Sequence, residues 1–247
     1  MRYINVSASC HIGNIRDYNE DMILVADKFI RDNSLDMNLS LLDSNRFVIA
    51  LADGLGGYNS GDIASAETLS NLKFFIDDLP DLLTTDGLKD LLNNWLGSIN
   101  QIVSSQGYVN PRLSKMGTTL VGIIFYGNKF FWMNCGDSRL YRLRNDEIVQ
   151  ISTDHSSSVI DTDNPVKGVT NCIGGGCRTS YLDINEFTDI IEDGDIYVLC
   201  SDGLSDMLSD TEIRRILMRG GNADVLSAVA IAAGGYDNVS VCVMKIV

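Results

Sequence analysis

The chain has 247 residues, with 33 Asp plus Glu against 19 Lys plus Arg and a formal net charge of −14. That balance, with Arg214 and Arg215 the one adjacent basic pair, excludes the clustered cations that grip nucleic acid and disfavours an anionic membrane surface. With 45% hydrophobic and 21% charged residues the composition is that of a globular protein; no apolar run nears the roughly 20 residues of a spanning helix, and the first residues lack the apolar centre of a signal peptide, so the expectation is a cytoplasmic monomer.

In chain order, the apolar run at 47–51 reads as a buried strand. Ile63, Ala66, Leu69, Leu72, Ile76 and Leu79, then Leu88, Leu91 or Leu92, Trp95, Ile99, Ile102 and Val103, recur at spacings of three and four and predict two long amphipathic helices. Three strands follow at 119–125, 129–134 and 139–143, in hairpin-like succession, and another at 196–200. Ser209-Asp210-Thr211-Glu212 fits a capping box opening a third helix that stops at Gly220-Gly221, and a fourth helix runs over 223–233. A strand over 239–247 closes the chain. Strands that cluster rather than alternate with helices predict an α+β fold of antiparallel sheets with helices outside. Three prolines and no Gly/Ser linker point to a single domain over 1–247. The six cysteines are scattered and read as reduced core residues; Cys172 and Cys177 have no second pair to complete a zinc site.

The informative feature is a recurrence. Phe47 to Ala52 delivers Asp53-Gly54, and Ile196 to Ser201 delivers Asp202-Gly203; a third strand ends in Gly136-Asp137, and the last is entered through Asp237-Asn238. Residues 16–21 hold Arg16, Asp17, Glu20 and Asp21. Each Asp-Gly alone is a common turn. Together they admit another reading, in which strands of one sheet present their ends at one rim and aim carboxylates into a shared space. Hard divalent cations take such oxygen ligands. Two like charges about 4 Å apart repel by roughly 4 kcal/mol at an effective dielectric near 20, so divalent metal is expected to stabilise the fold.

The motifs Gly13-Asn14-Ile15-Arg16 with Asn19-Glu20-Asp21, Asp53-Gly54-Leu55-Gly56-Gly57, Gly117-Thr118-Thr119, Gly136-Asp137-Ser138-Arg139, Asp154-His155-Ser156, Ser201-Asp202-Gly203-Leu204 and Asp237-Asn238-Val239-Ser240, in this order, resemble the metal-dependent Ser/Thr protein phosphatases of the protein phosphatase 2C type, in their short stand-alone bacterial form. The resemblance implies a central sandwich of two antiparallel sheets flanked by helices on both faces, in four layers, with two tightly bound Mn²⁺ or Mg²⁺ ions at one end. Asp53 would bridge them; Asp202 and Asp237 would hold the first, Glu20 and the carbonyl of Gly54 the second, and Asp21 would act through water. A third, looser ion would fall to Asp137 with Asp202. Arg16 would clamp the substrate phosphate, as its planar fork of donors suits. A water activated by the two ions would attack phosphoserine or phosphothreonine in line. The implied partners are phosphorylated proteins and a Ser/Thr kinase whose work is reversed, with control of type VI secretion among the roles of such enzymes.

Two departures from the family pattern stand out. Leu55 replaces the histidine that in animal-type members follows Asp-Gly and protonates the leaving oxygen, and the flap-like segment at about 156–170 is roughly half the usual length, leaving an open cleft. His155 is expected to support the site structurally, and His11 to be structural or exposed. Two other readings compete: a catalytically dead scaffold, which the retained Asp53, Asp202 and Asp237 oppose, and a nucleotide-binding enzyme, for which neither Gly54-Leu55-Gly56-Gly57 nor Gly174-Gly175-Gly176 is followed by the Gly-Lys-Ser/Thr of a phosphate loop.

Overall fold

The structure, a computed structural model, describes residues 3–56, 60–161 and 164–247, the side chains of 108 and 158–167 excepted. Its strands are β1 Tyr3–His11, β2 Met22–Val25, β3 Lys28–Ile30, β4 Asn33–Ser40, β5 Arg46–Ala52 and β6 Gly54–Leu55, then β7 Gly117–Thr118, β8 Leu120–Tyr126, β9 Lys129–Cys135, β10 Arg139–Arg144 and β11 Glu147–Gln150. They continue with β12 Ser156–Asp161, β13 Asn164–Val169, β14 Ile173–Gly174, β15 Asp183–Glu186, β16 Ile196–Cys200 and β17 Val239–Ile246. The helices are α1 Gly61–Asp77, α2 Thr85–Val109, α3 Asp202–Ser205, α4 Asp210–Met218 and α5 Ala223–Ala232.

Two six-stranded antiparallel sheets run in the orders β11-β10-β16-β17-β1-β4 and β15-β9-β8-β5-β2-β3. The side-chain alternation of a strand explains how they stack. In β5, Phe47, Ile49 and Leu51 enter the core between the sheets, while Val48, Ala50 and Ala52 enter a second core with α1 and α2. In β16, Tyr197 and Leu199 face the inter-sheet core; Val198 and Cys200 face a third core with α4 and α5. Strands buried on both faces lose the polar alternation of a surface sheet, which is why they read as unbroken apolar runs. The result is the expected four-layer α+β sandwich. Among the described residues no helix is long and apolar enough to cross a membrane.

The helices begin and end close to where the periodicity puts them. The capping box is present: the Ser209 hydroxyl accepts from the Glu212 backbone N–H, and the Glu212 carboxylate accepts from the Ser209 N–H at 2.9 Å. Thr84 caps α2 and Asn222 caps α5 through their side chains, each cap contributing about 1 kcal/mol.

Two corrections concern topology. Of the three strands at 119–143, β8 and β9 form a hairpin, whereas β10 pairs with β11 and with β16 in the opposite sheet, so the chain crosses the sandwich at Gly136–Ser138. The acid-bearing ends are therefore not those of one sheet but of both. The C-terminal ends of β5, β9 and β16 and the N-terminal ends of β2 and β17 meet at one end of the sandwich, as the registers Met22↔Ala52, Leu120↔Cys135 and Cys200↔Val241 require. The flap-like segment forms the antiparallel hairpin β12–β13, with Ser156 opposite Val169; residues 162 and 163 lie outside the described residues, as does Gly57 of the first Asp-Gly motif.

Candidate metal centre

The loop after β1 is fastened to the loop before β17. Asn14 N–H donates to the carbonyl of Gly235 at 2.8 Å, and its side-chain amide to Ile231 and Gly234 carbonyls at 2.9 and 3.0 Å. This carries Arg16 across to Asp237, where Nη2 donates to Oδ2 at 2.6 Å. Asn238 fixes the neighbouring acids: its amide donates to the carbonyls of Ile12 and Tyr18, both at 2.9 Å, and its Oδ1 accepts from the Glu20 N–H at 2.9 Å. Sequence reasoning placed Asn238 in a motif without a task. Its one signal was an Asn at the mouth of a strand, directly after an Asp.

Asp53 leaves β5 with its carbonyl held by the Thr119 N–H at 2.9 Å and the Thr118 hydroxyl at 2.8 Å. Gly54 then pairs in β6 with Thr118 of β7. Its backbone lies against the start of α1 so closely that a Cβ on Gly54 would stand 2.4 Å from the Gly61 carbonyl oxygen, an approach only glycine permits. Glu20 reaches the same spot, its Oε1 accepting from the Gly61 N–H at 3.0 Å at the positive end of a helix dipole. Leu55 follows in β6 opposite Gly117 and has no titratable atom to offer.

Electrostatics show that these acids share one space. Burial raises the pKa of Asp21 to about 6, the charge of Asp237 adds to the rise, and the hydroxyls of Ser240 and Ser201 oppose it. Burial, then the charges of Asp237, Asp137, Asp206 and Asp21, raise Asp202 to about 7. Asp53 is pushed well above the usual carboxylate range by burial and then by Asp21, Asp202, Asp237 and Asp137. Burial also raises Glu20. Asp21 Oδ2 is wholly buried without a hydrogen-bond partner, a costly state that a cation or an ordered water would relieve.

All of the sequence-predicted site residues, Arg16, Glu20, Asp21, Asp53, Gly54, Asp137, Asp202 and Asp237, come to this one rim. Among the described residues no three His, Cys, Asp or Glu side chains close into a single chelating set; Glu20 turns to Gly61 and Asp237 to Arg16. The donor chemistry nonetheless fits hard cations, which combine a few carboxylates with a backbone carbonyl and several waters.

His155 lies beside the rim as a strut. Its Nδ1 accepts from the Gly136 N–H at 3.2 Å and from the Asn171 amide at 2.8 Å, which leaves Nε2–H to donate to Asp183 Oδ2 at 3.0 Å. It is 6% exposed and packs on Tyr181 with centroids 4.7 Å apart, the supporting part expected of it. His11 is exposed and accepts from the Gly13 N–H at 2.9 Å.

A family model for protein phosphatase 2C matches residues 29–225. The chain belongs to the protein phosphatase 2C family. It is 34% identical to the serine/threonine protein phosphatase PstP of Mycobacterium tuberculosis over 81% of this chain, and it spans 40% of the length of that relative. It is 29% identical to the serine/threonine phosphatase stp of Listeria monocytogenes over 81% of this chain and 85% of the other. The crystal structure of the catalytic domain of PstP in complex with two manganese ions superposes with a TM-score of 0.75, at 29% identity and covering 99% of both chains. The two-sheet sandwich is thus that of this phosphatase family.

Proposed function

We propose that this chain is a metal-dependent protein serine/threonine phosphatase, a single catalytic domain across residues 1–247 with the hairpin β12–β13 as a short flap. The observation that carries the reading is the gathering of Asp21, Asp53, Asp137, Asp202 and Asp237 at one rim, where burial and then the charges of neighbouring carboxylates raise the pKa of Asp53 and Asp202. Like charges are held together against repulsion where function requires a cation. The manganese bound by the PstP catalytic domain supports Mn²⁺ or Mg²⁺ as that cation. Asp53, Asp202 and Asp237 would hold one ion, and Asp53, Glu20 and the Gly54 carbonyl a second. Asp21 would act through water, and Asp137 with Asp202 would serve a third, looser ion. When bound, such ions draw charge from the phosphoryl oxygens and make water a competent nucleophile near neutral pH.

The chain's own residues do the rest. Arg16, half exposed at the mouth, presents a guanidinium to the phosphate beside Asp237. Asn238 and Asn14 hold that loop in place before substrate arrives, so little ordering is left for the binding step. Leu55 gives no proton, so the leaving serine or threonine oxygen would take one from solvent at the open rim or from a water that the ions would hold. Selection among phosphoproteins falls to the acidic surface more than to the flap. The natural targets would be the products of a partner Ser/Thr kinase, met in the cytoplasm by a monomer.

Phosphate release from a phosphothreonine peptide by the purified chain tests this: release with Mn²⁺ and none with EDTA is expected. A chain that binds the peptide but releases nothing with Mn²⁺ present would instead be a scaffold.

A further inference from the structure

Behind the rim lies a second chemical feature that the phosphatase reading leaves unused. The chain turns through Gly174, Gly175 and Gly176, all in the left-handed region at φ +71°, +59° and +86°, and the Cys177 N–H closes the turn on the Gly174 carbonyl at 2.9 Å. The turn brings the Sγ atoms of Cys172 and Cys177 to 3.3 Å. A Cβ on Gly175 would stand 2.7 Å from Cys172 Sγ, so glycine is what lets the thiols meet. Both are free thiols. Cys172 is 3% exposed, whereas Cys177 lines an open cleft of about 730 Å³ with Asn100, Ser104, Ser114, Met116 and Arg178. One thiol is thus reachable by a small oxidant and the other waits behind it, the arrangement of a sensing and a resolving cysteine.

The same turn is tied to the acid rim along two routes. Ile173 and Gly174 of β14 pair with Thr118 and Gly117 of β7. Thr118 in turn pairs with Gly54 and holds the Asp53 carbonyl. On the other side Asn171, next to Cys172, holds His155, and His155 accepts from Gly136 next to Asp137.

We propose that Cys172 and Cys177 form a reversible thiol–disulfide switch, oxidised by a hydroperoxide, whose closure shifts the β14–β7–β6 ribbon and weakens divalent-cation binding at Asp53 and Gly54. The functional half of this inference rests on the phosphatase reading. The chemistry balances. Cys177 sulfur attacks the peroxide O–O bond, forming a sulfenic acid and releasing one water from H₂O₂. Cys172 sulfur then attacks the sulfenic sulfur, forming the S–S bond and releasing a second water, so two thiols lose two hydrogens in all. A bond near 2.05 Å requires the sulfurs to close from 3.3 Å, and that closure pulls on β14. Burial holds the Cys172 thiol well above its usual pKa, which leaves first attack to Cys177.

The test treats the purified full chain with H₂O₂, removes the peroxide, unfolds the chain in denaturant, blocks remaining thiols with iodoacetamide, and maps peptides after trypsin. Cys172 and Cys177 both fall between Lys167 and Arg178, so the switch appears as residues 168–178 lighter by two hydrogens and unlabelled, while Cys135 stays labelled. Dithiothreitol should restore the label. Calorimetry should find Mn²⁺ affinity about tenfold weaker in the oxidised form, and Cys177→Ser, at the half-buried position, should keep its Mn²⁺ affinity through peroxide treatment. Full labelling of both cysteines after peroxide overturns the switch, and a disulfide that leaves Mn²⁺ affinity unchanged overturns its coupling to the rim. A reduced protein that binds no Mn²⁺ breaks the phosphatase reading, while the peptide map still decides the thiol chemistry.

Discussion

The two ends of the sandwich bury acids in opposite ways. At the end away from the rim, Asp195 enters β16 at 1% exposure. Arg144 donates to it twice at 2.6 Å, the Glu192 N–H once at 3.0 Å and the Tyr197 hydroxyl once at 3.1 Å. Burial pushes its pKa up, but the hydrogen bonds and charge of Arg144 outweigh burial and leave it below the usual range. At the rim, Asp21 is equally buried, has an oxygen without a partner and is pushed up to about 6. The same strand, β16, starts at the satisfied acid and ends beside the cluster that holds Asp21. A buried carboxylate with its donors built in is stabilised by the fold itself; one crowded by other carboxylates is destabilised by it, and a cation would relieve that cost.

Two substitutions should separate the ends most sharply. Asp53→Asn should lower turnover on a phosphopeptide by roughly a thousandfold, yet raise the melting temperature of the metal-free protein by about 2–4 °C for each kcal/mol of repulsion removed. Retained turnover would take the bridging role from Asp53. Asp195→Ala should do the reverse, destabilising the fold by about 1–3 kcal/mol in denaturant titration, because it takes the acceptor from the buried Tyr197 hydroxyl and the Glu192 N–H and leaves Arg144 with Glu192 and the Ile190 carbonyl, while Mn²⁺ affinity stays as it was. If both variants are destabilised alike without metal, the rim acids are satisfied after all and the contrast fails.

How far these differences could be read from residues alone depends on burial. β5 and β16 are covered on both faces, so their apolar runs and the acids at their ends are plain in the sequence. β1 and β4 are not: Ile4, Val6, Ala8 and Cys10 are buried but alternate with Asn5, Ser7 and Ser9, and β4 is an edge strand whose polar residues face solvent. The turns after β2 and β3 use Ala26 and Asp32 in the left-handed region, so no glycine announces them. The convergence of the rim was hidden for another reason. It depends on the chain crossing between sheets after β9, a choice made by long-range pairing of β10 with β16 and not by any local pattern. The motif order gives the acids; only the fold shows Asn238 fastening the loop after β1, at three points, to the entry of β17.

Cation addition comes next in size. At a concentration one hundred times the dissociation constant, Mn²⁺ should stabilise the fold by about 2.7 kcal/mol, roughly 5–10 °C in a thermal melt, and EDTA should remove the gain. The pH dependence should carry opposite signs with and without metal. Asp21 and Asp202 titrate near 6 and 7 instead of their usual 3.8, so between about pH 4 and 7 the native metal-free protein holds more protons than the unfolded chain. Its stability is then full below about pH 4 and falls as pH rises through 6 and 7. With Mn²⁺ present the acids must shed those protons to bind the ion, so acid weakens the cation's contribution. Parallel melting curves over that range, with and without metal, would remove the cluster's proposed role.

The smallest effect expected is that of Arg16→Ala. The Arg16–Asp237 pair is close, at 2.6 Å, but half of the arginine side chain and more than a third of the aspartate are exposed, and solvent-exposed pairs contribute at most about 1 kcal/mol. Stability should therefore hardly move. What is lost is a donor fork at the mouth of the rim: KM for a phosphopeptide should rise about tenfold while kcat changes less, the signature of a group that grips ground state and transition state alike. A fall in kcat with KM unchanged would place Arg16 on charge that develops only during phosphoryl transfer. The residue would then belong with the carboxylates in the chemistry rather than at the entrance that leads to them.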